Sequence, residues 1–162
     1  MPAAPEMNRW LFKSEPHAFS IDELAARPRR TEPWDGIRNY QARNLMRDAM
    51  TVGDEGFFYH SSCAVPGIVG TLRVVRAAYP DHTAQDPASP YHDPKATPAQ
   101  PRWLMVDVQL LERFDGVISL ERLKLEPALA DLALLRRGNR LSIQPVGEAE
   151  WRAVLGMAGG RG

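Results

Sequence analysis

The sequence has one cysteine (Cys63), only three lysines against seventeen arginines, no net charge, and no apolar run near the length of a membrane span. Each shortage excludes something. A single cysteine forms no internal disulfide, so nothing ties the chain to an oxidising compartment. A bilayer helix needs about 20 apolar residues in a row, so no membrane location is expected. The first residues lack the basic start and apolar stretch of a secretory signal. They read as a loose terminus, with Met7 as an alternative start. The expected setting is the cytoplasm, or the nucleus in a eukaryotic source. Zero formal charge argues against a high-affinity duplex binder, whose affinity comes from neutralising many phosphates. It leaves room for a local basic patch. No Gly-x-Ser-x-Gly elbow, phosphate-cradling glycine loop or zinc-ligand spacing is present. No catalytic residue, metal or cofactor is therefore assigned.

What is there is the composition of a folded domain. The 162 residues are 44% hydrophobic and 25% charged, close to the globular average. A chain of that length buries about 68–70% of its unfolded surface and needs no staples. The expected organisation is one domain over residues 8–155, a loose N-terminus over 1–7 and a frayed tail over 156–162.

The pattern along the chain is strand and helix without regular alternation. Arg9 to Lys13 reads as a strand, and Ser20-Ile21-Asp22-Glu23 is a capping box that starts a helix ending before Pro28. Residues 27–34 read as a basic, proline-bearing loop. Asn39 caps a helix whose apolar stripe is Ala42, Leu45, Met46, Ala49 and Met50. Strands are expected at Glu55 to Ser61, Gly67 to Ala78 and Arg102 to Phe114. In the last of these Leu104, Val106, Val108 and Leu110 share a face. Tyr79 to Pro101 holds six prolines and is expected to be a long functional or mobile loop. Leu129, Leu132 and Leu135 read as a helical stripe, Leu141 to Val146 as a closing strand, and Trp151, Val154 and Leu155 as one face of a last helix. The fold class is α+β: a small curved sheet or partly open barrel with helices on its side.

Two segments concentrate chemistry. Trp34-Asp35-Gly36-Ile37-Arg38-Asn39-Tyr40-Gln41 packs an aromatic, a guanidinium and several amides around a turn. That set can wall a slot for a planar ring, because aromatic faces stack on bases and amides read their edges. It equally describes a core tryptophan followed by helix-capping residues. Lys13-Ser14-Glu15 offers a cation, a hydroxyl and a carboxylate at a strand end, which is either a ligand site or a solvated turn. His60 beside Ser61 invites a hydrolase reading, but neighbouring strand residues point to opposite faces. Asp81, His82, Asp86, His92 and Asp93 lie in the proline loop without ligand geometry. Arg136-Arg137-Gly138-Asn139-Arg140 is a local positive patch around a turn. It suits phosphates or a solvated helix end.

Several of these motifs, in order, resemble the EVE domain family of the PUA-like superfamily. The matching segments are Trp10 to Pro16, Trp34 to Asn44, Gly53-Asp54, Phe57 to Ser61, Gly67 to Gly70, Tyr79-Pro80-Asp81, Tyr91 to Lys95, Pro101-Arg102-Trp103 and Asn139 to Ser142. The resemblance covers about Asn8 to Leu155. It implies a PUA-like barrel with flanking helices, kinship with the YTH domains that cage a methylated adenine, and a non-catalytic module that reads a modified base in DNA or RNA, a modified cytosine above all. Carried onto this chain, the base-binding positions are Lys13, Ser14, Glu15, Trp34, Asn39, Tyr40, Tyr59, His60 and Ser61. The phosphate contacts are placed at Arg38, Arg43 and Arg140. Trp34 is expected to stack on the base and to be removable without loss of the fold. The domain is expected to be a monomer that works beside a partner enzyme. Two alternatives stand: a small enzyme acting on a nucleotide through Glu15 and His60, and a binder of a free heterocycle.

Overall fold

Residues 8–159 are described by the computed structural model. The strands are β1 (Arg9–Ser14), β2 (Thr31–Trp34), β3 (Glu55–His60), β4 (Gly67–Pro80), β5 (Leu104–Ser119) and β6 (Ile143–Val146). The helices are α1 (Ile21–Ala26), α2 (Tyr40–Asp48), α3 (Leu120–Leu125) and α4 (Glu148–Gly159). The strands form one mixed, open sheet in the order β2-β5-β4-β3-β1-β6. Only the β1–β3 pairing is parallel, with Trp10 opposite Gly56 and Ser14 opposite His60.

Strand alternation divides the apolar residues between two faces of this sheet. Trp10, Phe12, Phe58, Leu72, Val74, Val106, Val108 and Leu110 face α1 and α2. Leu11, Phe57, Tyr59, Ile68 and Ile118 face the other way, under α3 and α4 with Leu123, Trp151 and Val154. The expected stripe of α2 and the expected face of β5 both belong to the first core.

The sheet curls. Three strands separate β2 from β1, and at about 4.8 Å per step a flat sheet would hold them roughly 19 Å apart. Yet the rings of Phe12 on β1 and Trp34 on β2 lie 5.2 Å apart. The ends of the sheet therefore approach each other across the first core, as in a partly open barrel.

Four expectations need correction. Residues 31–34 form a strand, not a loop. Pro33 is tolerated because β2 is an edge strand, where a missing N–H leaves no neighbour unpaired. Leu120–Leu125, overlooked in the sequence, is a helix capped by Ser119, whose side chain accepts from the Arg122 amide. The Leu129, Leu132, Leu135 stripe is not an α-helix but two separate 3-10 turns. The i, i+3 spacing suits either geometry. Finally, α4 reaches Gly159, four residues into the expected tail, because Met157 and Ala158 still pack against the second core. Residues 1–7 lie outside the described residues.

The proline loop is ordered by contacts of its own. Ala84, Ala96 and Trp103 make a small satellite core. The Trp103 indole N–H donates to Asp93 at 2.7 Å.

Candidate functional site

A pocket of about 500 Å3 opens where the curling sheet brings the end of β1 to the end of β2. β1 supplies Lys13 and Ser14, and the turn after it supplies Glu15. β2 and the turn after it supply Glu32, Pro33, Trp34, Asp35, Gly36 and Ile37. Phe19, Arg27, Tyr91 and Ser142 complete the rim.

Trp34 is the floor. It is only 6% exposed. Its ring sits edge-on to Phe12 and Phe58, both at 5.2 Å, and to Phe19 at 6.1 Å. Both readings of the sequence thus apply: Trp34 is a core aromatic, and its remaining surface lines the pocket. The expectation that it can be truncated without harm to the fold is corrected by this packing. A large aromatic cut to alanine in a core costs about 3–5 kcal/mol.

The β1 end is held rigid by its own polar groups. The Ser14 hydroxyl donates to the Phe19 carbonyl at 2.6 Å, and the Glu15 carbonyl accepts the amides of Ala18 and Phe19 at 2.9 Å each. The Glu15 carboxylate meets His17 at 3.0 Å. Lys13 is half-buried, and the loss of hydration lowers its pKa. Asp35 has its pKa raised by burial first, then by the negative charges of Asp81 and Glu32. Arg27 pairs with Glu32 across the mouth. The pocket thus sets Trp34 among a mixed rim, with the carboxylates of Glu15, Glu32 and Asp35 beside the cations Lys13 and Arg27.

Tyr91 was overlooked as a site residue in the sequence. It comes from the proline loop, and a latch brings it there. Arg38 donates through Nη2 and Nε to the Tyr91 carbonyl at 2.7 and 3.0 Å, and through Nη1 to Asp81 at 3.0 Å. Asp81 is wholly buried and also accepts the Gly36 amide at 3.0 Å and the Thr83 amide at 2.8 Å. Gly36 has φ of 79°, and a Cβ there would come within 2.9 Å of the Tyr91 ring. Glycine is therefore needed both for the turn and for the seat of the tyrosine. The sequence signals for this arrangement were the matching segments Trp34 to Asn44, Tyr79-Pro80-Asp81 and Tyr91 to Lys95, which do not say that the three meet.

Other named residues lie elsewhere. Asn39 is the N-cap of α2 and accepts the Ala42 amide at 3.0 Å. Tyr40, 45% exposed, stacks on Trp103 at 4.6 Å, and its hydroxyl accepts from Arg102. Tyr59 is buried in the second core, one residue past Phe58 and hence on the opposite face. His60 caps α1: its Nε2 accepts the Ile21 amide at 3.1 Å. Burial lowers the His60 pKa, against a smaller opposing pull from Asp22. The Ser61 amide donates to the Ser14 carbonyl at 3.0 Å, which braces the pocket from behind. Arg38 is occupied by the latch. Arg43 donates to the Arg102 carbonyl at 2.9 Å and to Asn44, and lies over the Tyr40 ring. Both guanidiniums are engaged within the protein. Arg140 is exposed and lines a separate cleft.

The EVE domain model matches residues 8–157. The chain belongs to the EVE domain family. Mouse thymocyte nuclear protein 1 is 43% identical over 167 residues, covering 93% of this chain and 73% of that protein. A crystal structure from Pseudomonas putida is 51% identical with a TM-score of 0.88, covering 93% of this chain and 99% of that one. Human THYN1 protein, solved in complex with DNA containing 5-methylcytosine, is 42% identical with a TM-score of 0.87, covering 93% and 97%. The open six-stranded sheet with four helices is accordingly the PUA-like architecture of this family.

Proposed function

We propose that the pocket over Trp34 receives one modified cytosine turned out of its strand, and that the domain binds this base without transforming it. The observation that carries the proposal is the cavity that brings Trp34, Tyr91 and Phe19 together with the carboxylates of Asp35 and Glu15. Its size falls at the lower end of the range for small-molecule sites, about 300–1,000 Å3, and suits a single base. Cytosine presents an N4 amino donor, and carboxylates are its natural acceptors. Asp35 and Glu15 stand at the rim to supply them. Tyr91 and Phe19 offer the apolar sides. The binding of 5-methylcytosine DNA by human THYN1 protein supports the same ligand class.

Magnitudes set limits on this module. Turning a base out costs a few kcal/mol, least for a modified or unpaired base, and stacking returns about 1–3 kcal/mol. Burying one methyl adds about 0.8 kcal/mol. That corresponds to roughly fourfold discrimination over the unmodified base, since 1.4 kcal/mol is tenfold. Such a domain binds weakly alone and gains from tethering to a partner enzyme through effective concentration.

Catalysis through Glu15 and His60 has less support. The His60 acceptor nitrogen is engaged by the Ile21 amide, so it is not free to take a substrate proton. Fluorescence anisotropy with short DNA and RNA strands, carrying either 5-methylcytosine or cytosine, tests the binding reading. Asp35→Asn and Tyr91→Ala should each lower affinity at least fivefold while the melting curve stays cooperative. Unchanged affinity in both variants would sink the pocket. The free nucleoside binding as tightly as the strand would favour a small-heterocycle binder. Turnover of either strand that His60→Ala abolishes would favour the enzyme.

A further inference from the structure

Beside the base pocket lies a second concavity of about 530 Å3 whose chemistry is the reverse of the first. Arg136, Arg137 and Arg140 line one side, and the start of α2, at Asn39 and Gln41, lines the other. No carboxylate contributes to its wall. The three guanidiniums form no ion pair among the described residues, whereas Arg9, Arg27, Arg38, Arg47 and Arg113 are each paired to an acid. The start of α2 adds positive potential, because its first amides have no partner within the helix. Gln144 also belongs to the lining and is 1% exposed. Its amide nitrogen donates to the Leu141 carbonyl at 2.6 Å, and its Oε1 has no donor. A buried acceptor left without a donor is uncommon and calls for an explanation.

The two concavities are lined by residues that neighbour one another along the chain. Ser142 lines the base pocket and Leu141 the cleft; Ile37 lines the base pocket and Asn39 the cleft. A ligand that reaches from one to the other must carry a base on one side and anionic oxygens on the other. A nucleotide strand has that composition.

We propose that the Arg136, Arg137 and Arg140 cleft holds the sugar–phosphate backbone next to the nucleotide whose base enters the pocket. The inference rests on the base-binding reading above and assigns it a second, sequence-independent half. The pocket selects the base, and the cleft supplies the charge-dependent part of the affinity.

The test is binding of a single-stranded DNA with one 5-methylcytosine, and of its unmodified counterpart, across a salt series. The Arg136→Gln/Arg137→Gln/Arg140→Gln variant should weaken both strands by the same factor, roughly tenfold at low salt. It should also reduce the steepness of log affinity against log salt by about 0.7 for each lost phosphate contact on a single strand. Preference for the methylated strand should not change. Arg47→Gln, on the exposed face of α2, serves as control and should leave the slope alone. An unchanged salt slope in the triple variant overturns the cleft. A wild-type protein that binds both strands equally, with a slope the triple variant still flattens, leaves the cleft standing and removes the base reading.

Discussion

The pocket and the cleft are almost equal in size, about 500 and 530 Å3, and opposite in character. The pocket is built on strand ends and a core tryptophan; the cleft is built on a turn and a helix start. Several of the pocket's polar groups are engaged with one another, as in the Ser14–Phe19 bond and the Arg27–Glu32 pair, and the Arg38–Asp81 pair braces it from outside the lining. The cleft's arginines are unpaired among the described residues. The difference shows that arginine does two jobs here. Near the pocket it is a structural clamp, with its fork satisfied by carbonyls and a buried carboxylate. At the cleft it is a solvated cation available to an external anion. Stability and binding should therefore separate by region.

The largest break in that comparison is Trp34→Ala, which should destabilise the fold by about 3–5 kcal/mol through the cavity it opens. Chemical denaturation should show it, and a loss below 1 kcal/mol would mean the ring is less embedded than its contacts with Phe12, Phe19 and Phe58 indicate. Arg38→Ala should come next, at about 3 kcal/mol. It strands the wholly buried Asp81 without its cation, and the part-exposed position of Arg38 keeps the figure at the low end for a broken buried pair. The same variant should release Tyr91 and raise its exposure to iodination or solvent quenching. A normal unfolding midpoint would argue that the latch is not structural.

Smaller effects are pH-dependent. The folded-state pKa of His60 is lowered, so its contribution to stability is present above the unfolded value of 6.5 and is lost as pH falls through the folded pKa. Melting temperature should drop on acidification below that value. His60→Gln, which keeps an acceptor for the Ile21 amide, should flatten the drop. Asp35 has the opposite sign. Its folded pKa is raised, so it favours the folded state when protonated, and that advantage disappears as pH rises through the folded pKa. Asp35→Asn should accordingly stabilise the free protein at neutral pH while weakening base binding, and no stabilisation at pH 7 would count against a desolvated carboxylate. The smallest stability effect belongs to the cleft. Arg140→Gln should move the unfolding free energy by no more than about 0.5 kcal/mol, as for a surface substitution.

Local signals were read well where the cause is local. The capping box at Ser20 and the Asn39 cap both form, because a side chain three residues away satisfies an orphan amide. The stripe of α2 and the alternation of β5 match the periods of helix and strand. Lys13, Ser14, Glu15 and Trp34 line one cavity. What was misread depends on neighbours that sequence proximity does not reveal. Pro33 looked like a loop residue because its permission to sit in a strand comes from β2 lying at the sheet edge. Tyr59 and His60 looked like pocket walls because they are near Phe58 in sequence. One flips to the other face, and the other is used to start α1. Tyr91 was missed because its carbonyl is held by Arg38, 53 residues earlier in the chain, and Arg38 is in turn held by the buried Asp81.

By itself, the sequence determined the longer strands, the helices α1, α2 and α4 and the caps at Ser20 and Asn39, which follow from side-chain period and short-range hydrogen bonding, and its ordered motifs determined the family. The tertiary structure alone decided which residues form the pocket. The curl that brings Phe12 against Trp34, and the Arg38 latch that carries Tyr91 over Gly36, are long-range pairings. Their free energy depends on which distant groups are buried together, and no local pattern encodes that choice.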